Sequence, residues 1–254
     1  MSTFPDRFRL DGRTALITGS GRGLGWEMAK GLAEAGAKVL LHGRSHERLA
    51  PRLEELAAAG PSADGLCFDM ADRAAMQVEV TRAGPIDILV HNVGERDRRP
   101  FAEIEPDAFA RLIDVDLTAA HALVRLAVPG MIERSWGRLI LVTSIVADLA
   151  VPGASSYIAA KGGLSALARA LAAELGGKGI TSNALSPGFF ATETNAQMIN
   201  SPMGERQRER CPAKRWAEPW EIAGAAVFLA SPAASYVNGH TLTVDGGVSA
   251  TYLA

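Results

Sequence analysis

Thr14-Ala15-Leu16-Ile17-Thr18-Gly19-Ser20-Gly21-Arg22-Gly23-Leu24-Gly25 runs from an apolar segment, through a glycine-rich turn, into an amphipathic stretch that reaches Ala35. An apolar run of strand length, then glycines, then a helical pattern is how a βαβ unit begins. Gly19, Gly23 and Gly25 follow T-G-x-x-x-G-x-G. Such a turn reverses the chain sharply and brings the free N–H groups of a helix amino terminus close to an anion such as a pyrophosphate. Gly19, Ser20, Arg22, Gly23, Leu24 and Gly25 are therefore candidate binders of a dinucleotide.

The same alternation continues outward. Strands are expected at Lys38 to Leu41, Gly65 to Phe68, Ile86 to Val90, Arg138 to Val142, Thr181 to Leu185 and Thr241 to Val244. Helices are expected at Leu24 to Ala35, Glu47 to Ala58, Asp72 to Arg82, Pro106 to Arg134, Tyr157 to Leu175 and Glu221 to Ala230. In the long helix, Pro129-Gly130 should disturb the pattern, whereas Pro106 suits a first turn because its missing N–H costs nothing there. Continuous apolar strands alternating with helices predict an α/β fold: a single-domain, doubly wound parallel sheet of Rossmann type over residues 1–254, with helices on both faces.

Composition narrows the function. The chain has 254 residues, 48% hydrophobic and 21% charged, enough for one large core. A net charge of -2 offers no electrostatic footing for nucleic acid or an anionic membrane. Met1 to Arg13 shows no apolar signal region and no apolar run reads as bilayer-spanning, so a cytoplasmic location is expected. Cys67 and Cys211 read as plain thiols. His42, His46, His91, His121 and His240 show no ligand spacing, and no metal is expected.

Two further stretches carry chemistry. Tyr157-Ile158-Ala159-Ala160-Lys161 puts a phenol and an ammonium group four residues apart on one helix face, continued by Leu164, Ala168, Leu171 and Leu175. A cation beside a phenol favours the phenolate, giving a proton donor and acceptor for neutral pH. The second strand ends His42-Gly43-Arg44-Ser45, without a carboxylate to take a ribose 2′-hydroxyl. Arg44 and Arg22 suit a 2′-phosphate instead, which predicts NADP(H), with NAD(H) the alternative.

The chain resembles the short-chain dehydrogenase/reductases over essentially its whole length. The resemblance rests on Thr18 to Gly25, Asp69, Asn92-Val93-Gly94, Ser144, Tyr157 with Lys161, Pro187-Gly188 with Thr192, and Val244-Asp245-Gly246-Gly247. It implies that Ser144 holds the substrate oxygen, Tyr157 exchanges the proton, and Lys161 assists Tyr157 and grips the nicotinamide ribose. It also implies that Asp69 and Met70 lie by the adenine, that Asn92, Val93 and Gly94 line the cofactor cleft, and that Pro187, Gly188 and Thr192 touch the nicotinamide end. Two positions depart from the family: His91 stands in the N-N-A-G motif, and Asp116 stands where the family has a catalytic asparagine whose carbonyl serves a proton relay. The expectation is that Asp116 keeps the relay with an altered pH profile.

Within the family the resemblance is to the gluconate 5-dehydrogenases. It is carried by Leu41 to Arg44, by Arg96-Asp97-Arg98-Arg99-Pro100-Phe101 and by Pro212 to Trp216. Arg96, Arg98 or Arg99 could grip the carboxylate of a sugar acid, against the plainer reading of a solvated charged loop. Met198, Ile199 and Met203 are candidate lid contacts. Ala159, Gly163, Ala166, Ala170 and Ala173 form a small-residue face, and Val248 to Ala254 is apolar; both suit the homotetramer the family implies. The expected activity is oxidoreduction of a small polar alcohol or ketone. The alternatives are a 3-oxoacyl carrier-protein reductase and a dinucleotide-binding protein without turnover.

Overall fold

The computed structural model describes residues 3–251. Seven strands form one parallel sheet: β1 (Thr14–Ile17), β2 (Lys38–Gly43), β3 (Ala63–Cys67), β4 (Ile88–His91), β5 (Gly137–Val142), β6 (Ile180–Pro187) and β7 (Thr241–Val244). Their spatial order is β3-β2-β1-β4-β5-β6-β7. Every residue of β4, β5 and β6 is buried, as expected of central strands covered on both faces.

Two apolar layers enclose the sheet. On one side pack α1 (Gly23–Glu34), α2 (His46–Ala59) and the later α9 (Ala223–Ala230), with Trp26, Leu32, Leu49, Ile222 and Leu229 against Ile17, Leu41 and Val90. On the other lie α3 (Arg73–Ala83), α4 (Pro106–Ile113), α5 (Ala119–Glu133) and α6 (Ser155–Leu175). There Met76, Val115, Leu123 and Met131 meet Leu16, Leu89 and Leu139. The remaining helices, α7 (Ala196–Ile199) and α8 (Pro202–Arg210), follow β6. Local chemistry sets several boundaries: Asp72 caps α3 by accepting from Ala75 N–H, Ser201 caps α8, and Gly60 ends α2 in the left-handed region.

The long helical stretch corrects one expectation. Pro129 sits inside α5 on its exposed side, where water can meet the carbonyl it leaves unbonded. The irregularity falls instead at Asp114–Thr118, a π-helical turn between α4 and α5. Pro106–Glu133 is also 28 residues long with a hydropathy of 1.3, long and apolar enough by composition to cross a membrane. Leu112, Val115, Leu123, Val124 and Met131 are buried in the protein core, so this is a core helix that the sequence reading had not counted as an apolar run.

The strand order reverses direction between β1 and β4. Chains leaving neighbouring strands there diverge to opposite faces and open a crevice at the carboxyl ends. That crevice is where the glycine turn after β1 meets Asn92, Val93 and Gly94 after β4.

Candidate active site

A cleft of about 790 Å³ runs across the carboxyl ends of the strands. Behind its wall the buried Thr18 joins the two diverging chains: its Oγ1 accepts from Asn92 N–H at 2.8 Å and from Val93 N–H at 3.1 Å. Asn92 Nδ2 returns a bond to the Thr18 carbonyl at 3.1 Å. Gly19 and Gly23 have φ of +65° and +56°, the left-handed region that favours glycine. A Cβ on Gly25 would lie 2.4 Å from the Gly19 carbonyl, so the turn closes onto α1 only without one. Arg22, Gly23, Leu24 and Gly19 line the cleft, whereas Ser20 and Gly25 are buried behind it.

Arg44 and Arg22 face this end of the cleft, joined by Arg48 and Arg52 of α2. The sequence reading missed these two, although their spacing of four turns both to one side of α2; Arg44 precedes that helix, in the bend after β2. Asp69 and Met70 line the same region. Arg73 fixes their turn: it donates to the Met70 carbonyl and, at 2.6 Å, to Asp114 Oδ1.

At the other end stand Ser144, Tyr157, Lys161, Pro187, Gly188 and Thr192. Ser144 follows β5 and opens a short 3-10 turn whose Val146 N–H it accepts at 3.4 Å. Lys161 is only 2% exposed. Its ammonium donates to the Val142 carbonyl at 3.1 Å and to the Val93 carbonyl at 3.5 Å, and lies 5.7 Å from the centre of the Tyr157 ring. Gly94 makes room for it, since a Cβ there would stand 2.8 Å from Lys161 Nζ.

Asp116 does not line the cleft; it is fully buried behind Gly94. Its Oδ1 accepts from Glu95 N–H at 2.7 Å, and its Oδ2 lies 3.9 Å from Lys161 Nζ with no hydrogen-bond partner among the described residues. Burial pushes the carboxyl above the usual carboxylate range, with the Lys161 charge pulling back. The Asp116 carbonyl, expected to serve a relay, accepts from His91 Nε2 at 3.0 Å. His91 is fully buried, and burial, reinforced by Lys161, lowers its pKa to about 3, so the ring is neutral.

The three candidate arginines separate. Arg96 lines the cleft, its guanidinium carbon 5.6 Å from the centre of the Tyr157 ring and its Nη1 3.1 Å from Asn195 Oδ1. Arg99 is turned away, held by Asp97 at 2.9 Å and by the Glu103 carbonyl at 3.2 Å. Arg98 is exposed outside the cleft wall. Met198, Ile199 and Met203 also lie off the cleft, whose edge here is Thr192 to Asn195. Trp216 is a prop: 8% exposed, it donates to the Gly204 carbonyl at 3.2 Å and packs on Phe189.

A family profile described as enoyl-(acyl carrier protein) reductase matches residues 19–249. The gluconate 5-dehydrogenase of Gluconobacter oxydans is 38% identical, with 96% of this chain and 98% of that protein covered. The chain belongs to the short-chain dehydrogenase/reductase family. As a member of it, the protein is an NAD(P)-dependent oxidoreductase. Among its short-chain dehydrogenase relatives, the 2-dehydro-3-deoxy-D-gluconate 5-dehydrogenase of Formosa agariphila is 38% identical over 97% of this chain and 96% of its own. A gluconate 5-dehydrogenase from Burkholderia cenocepacia, solved in complex with NADP and tartrate, superposes with a TM-score of 0.93 at 40% identity, covering 98% of this chain and 100% of that one. The glycine cradle under α1 and the gap at Gly94 suit a dinucleotide laid across this short-chain dehydrogenase's cleft, because a side chain at Gly25 would push the turn off α1 and one at Gly94 would displace Lys161.

Proposed function

We propose that the protein interconverts a small polar alcohol and its ketone with NADP(H), and that the substrate is a sugar acid of the gluconate/5-ketogluconate class. The observation that carries the substrate class is Arg96, whose guanidinium stands over the Tyr157 ring at the open end of the cleft. A guanidinium there can take both oxygens of a carboxylate and hold the hydroxyl-bearing carbon near the phenol. The relatives named above act on such acids, which supports the reading. Preference for NADP(H) rests on Arg22 and Arg44, with Arg48 beside them, at the end that would take the 2′-phosphate.

The bound dinucleotide supplies or receives the hydride. Everything else falls to the protein. Ser144 Oγ donates to the substrate oxygen and fixes its distance from Tyr157. In oxidation the Tyr157 oxygen takes the hydroxyl proton as the carbonyl forms; in reduction its O–H gives that proton back to the alkoxide oxygen. Lys161, anchored by two main-chain carbonyls, directs its ammonium group toward the phenol, where it stabilises the negative charge that develops on the oxygen as the proton leaves. Glycine turn, proton donor and substrate arginine all belong to one domain.

A homotetramer in the cytoplasm completes the proposal. Ala159, Ala166, Ala170 and Ala173 are exposed along α6, a flat face on which a second helix can pack closely. Of the apolar carboxyl end, Val248 is buried and Ser249 to Thr251 are exposed, while Tyr252 to Ala254 lie outside the described residues.

Steady-state kinetics with gluconate, galactitol and a neutral 3-oxoacyl thioester, each with NADP(H) and NAD(H), tests the function. The expected result is highest kcat/KM for the acid with the phosphorylated cofactor, and a rise in its KM of about tenfold in Arg96→Ala with kcat for galactitol unchanged. Preference for the thioester, or an unchanged KM for the acid in that variant, overturns the substrate class.

A further inference from the structure

One side chain that no catalytic step uses ties together the ends of three strands. His42, at the end of β2, is 2% exposed. Its Nδ1 accepts from Gly19 N–H at 3.1 Å, and its Nε2 lies 3.0 Å from the Phe68 carbonyl. A carbonyl only accepts, so Nε2 carries the proton and Nδ1 the lone pair, and one neutral tautomer meets both demands. The main chain repeats the link: Ser20 N–H donates to the His42 carbonyl at 3.0 Å, and His42 N–H donates to Ser20 Oγ at 2.9 Å. The imidazole rests on the Phe68 ring with centroids 4.1 Å apart.

The partners give this link its meaning. Gly19 begins the glycine turn and is held at a φ of +65°, a conformation that glycine leaves easily when nothing fixes it. Phe68 precedes Asp69 and Met70, which line the cleft at the end beside Arg44. A single rigid ring therefore sets the distance between the turn that faces the phosphates and the wall that faces the base. Burial lowers the His42 pKa to about 4, so the ring stays in the neutral form both bonds require at ordinary pH.

We propose that His42 is a positioning residue for the dinucleotide, holding the glycine turn in its nucleotide-ready shape through the Gly19 bond. The ring also touches the cleft wall, but its nitrogens are spent on protein partners, so it acts through Gly19 rather than on the substrate.

Two substitutions separate this role from simple packing. His42→Phe keeps the ring and its stacking but loses both hydrogen bonds. His42→Asn loses the ring but places an amide oxygen near the position of Nδ1, able to accept from Gly19 N–H. NADPH affinity is read by fluorescence titration, alongside KM and kcat for both substrates. The Phe variant should bind NADPH about tenfold more weakly and raise its KM equally, with kcat and the other substrate's KM unchanged at saturating NADPH; one lost bond of this kind corresponds to about that factor. The Asn variant should stay within about threefold of the parent. Weakening of the Phe variant by less than about threefold, or an Asn variant weakened beyond that, overturns the proposal. Should the Phe variant fail to fold, the Asn result alone decides on the same threshold.

Discussion

Asp116 Oδ2 lies 3.9 Å from Lys161 Nζ, and both side chains are sealed from solvent. The pair places a carboxyl group directly behind the lysine whose ammonium lies 5.7 Å from the centre of the Tyr157 ring. The Asp116 carbonyl accepts from His91, while its carboxyl oxygen is the part of this residue that faces Lys161. Burial raises the Asp116 pKa in the folded protein, so its charged form is the costly one. A carboxyl whose folded pKa is raised contributes stability at low pH and loses it as pH rises through that value. Asp116→Asn should therefore raise Tm at pH 8 and converge with the parent near pH 4. Its pH–rate curve should also shift, since the charge beside Lys161 is gone; superimposable curves from thermal melts and kinetics would remove the idea.

His91 and His42 should each contribute to the loss of stability in acid. Both are buried and neutral, with pKa values lowered to about 3 and about 4. A depressed pKa contributes stability above the unfolded histidine value, near ~6.5, and that stability is lost as pH falls through the folded value. Urea unfolding should show stability dropping between about pH 6.5 and pH 3. His91→Asn should flatten that slope, and an identical slope in the variant counts against the assignment.

Tyr157→Phe removes one oxygen from the cleft and leaves the ring against Arg96 and Lys161. The variant should fold with unchanged Tm, bind NADPH as the parent does, and lose at least about 100-fold in kcat, the scale of a general acid–base group. Turnover at the parental rate by a folded, nucleotide-binding variant would discard the proton pathway.

Arg44 and Arg48 share one end of the cleft. Substituting both by alanine should raise KM for NADPH by about tenfold or more while changing KM for NADH less than about threefold, because only one of the two carries a phosphate for the guanidinium groups to pair with. Parallel changes for both cofactors in steady-state assays would place the 2′-phosphate elsewhere.

The sequence by itself determined the parts whose causes are local. Strand and helix periods, the left-handed glycines of the turn and the four-residue spacing of Tyr157 and Lys161 depend on near neighbours in the chain, so the layer order and the location of the cleft could be read directly. Helix disturbance was misplaced at Pro129 because proline is a local signal, whereas the π turn at Asp114–Thr118 includes a residue engaged by His91 across the core. Tertiary structure alone chose Arg96 over Arg98 and Arg99: the three differ not in chemistry but in which way a folded loop turns them, with Asp97 and Glu103 retaining Arg99. The same holds for His42, whose two partners lie 23 and 26 residues away. A side chain buried by contacts that distant carries no periodic signature, so its work becomes visible only when the strands are laid side by side.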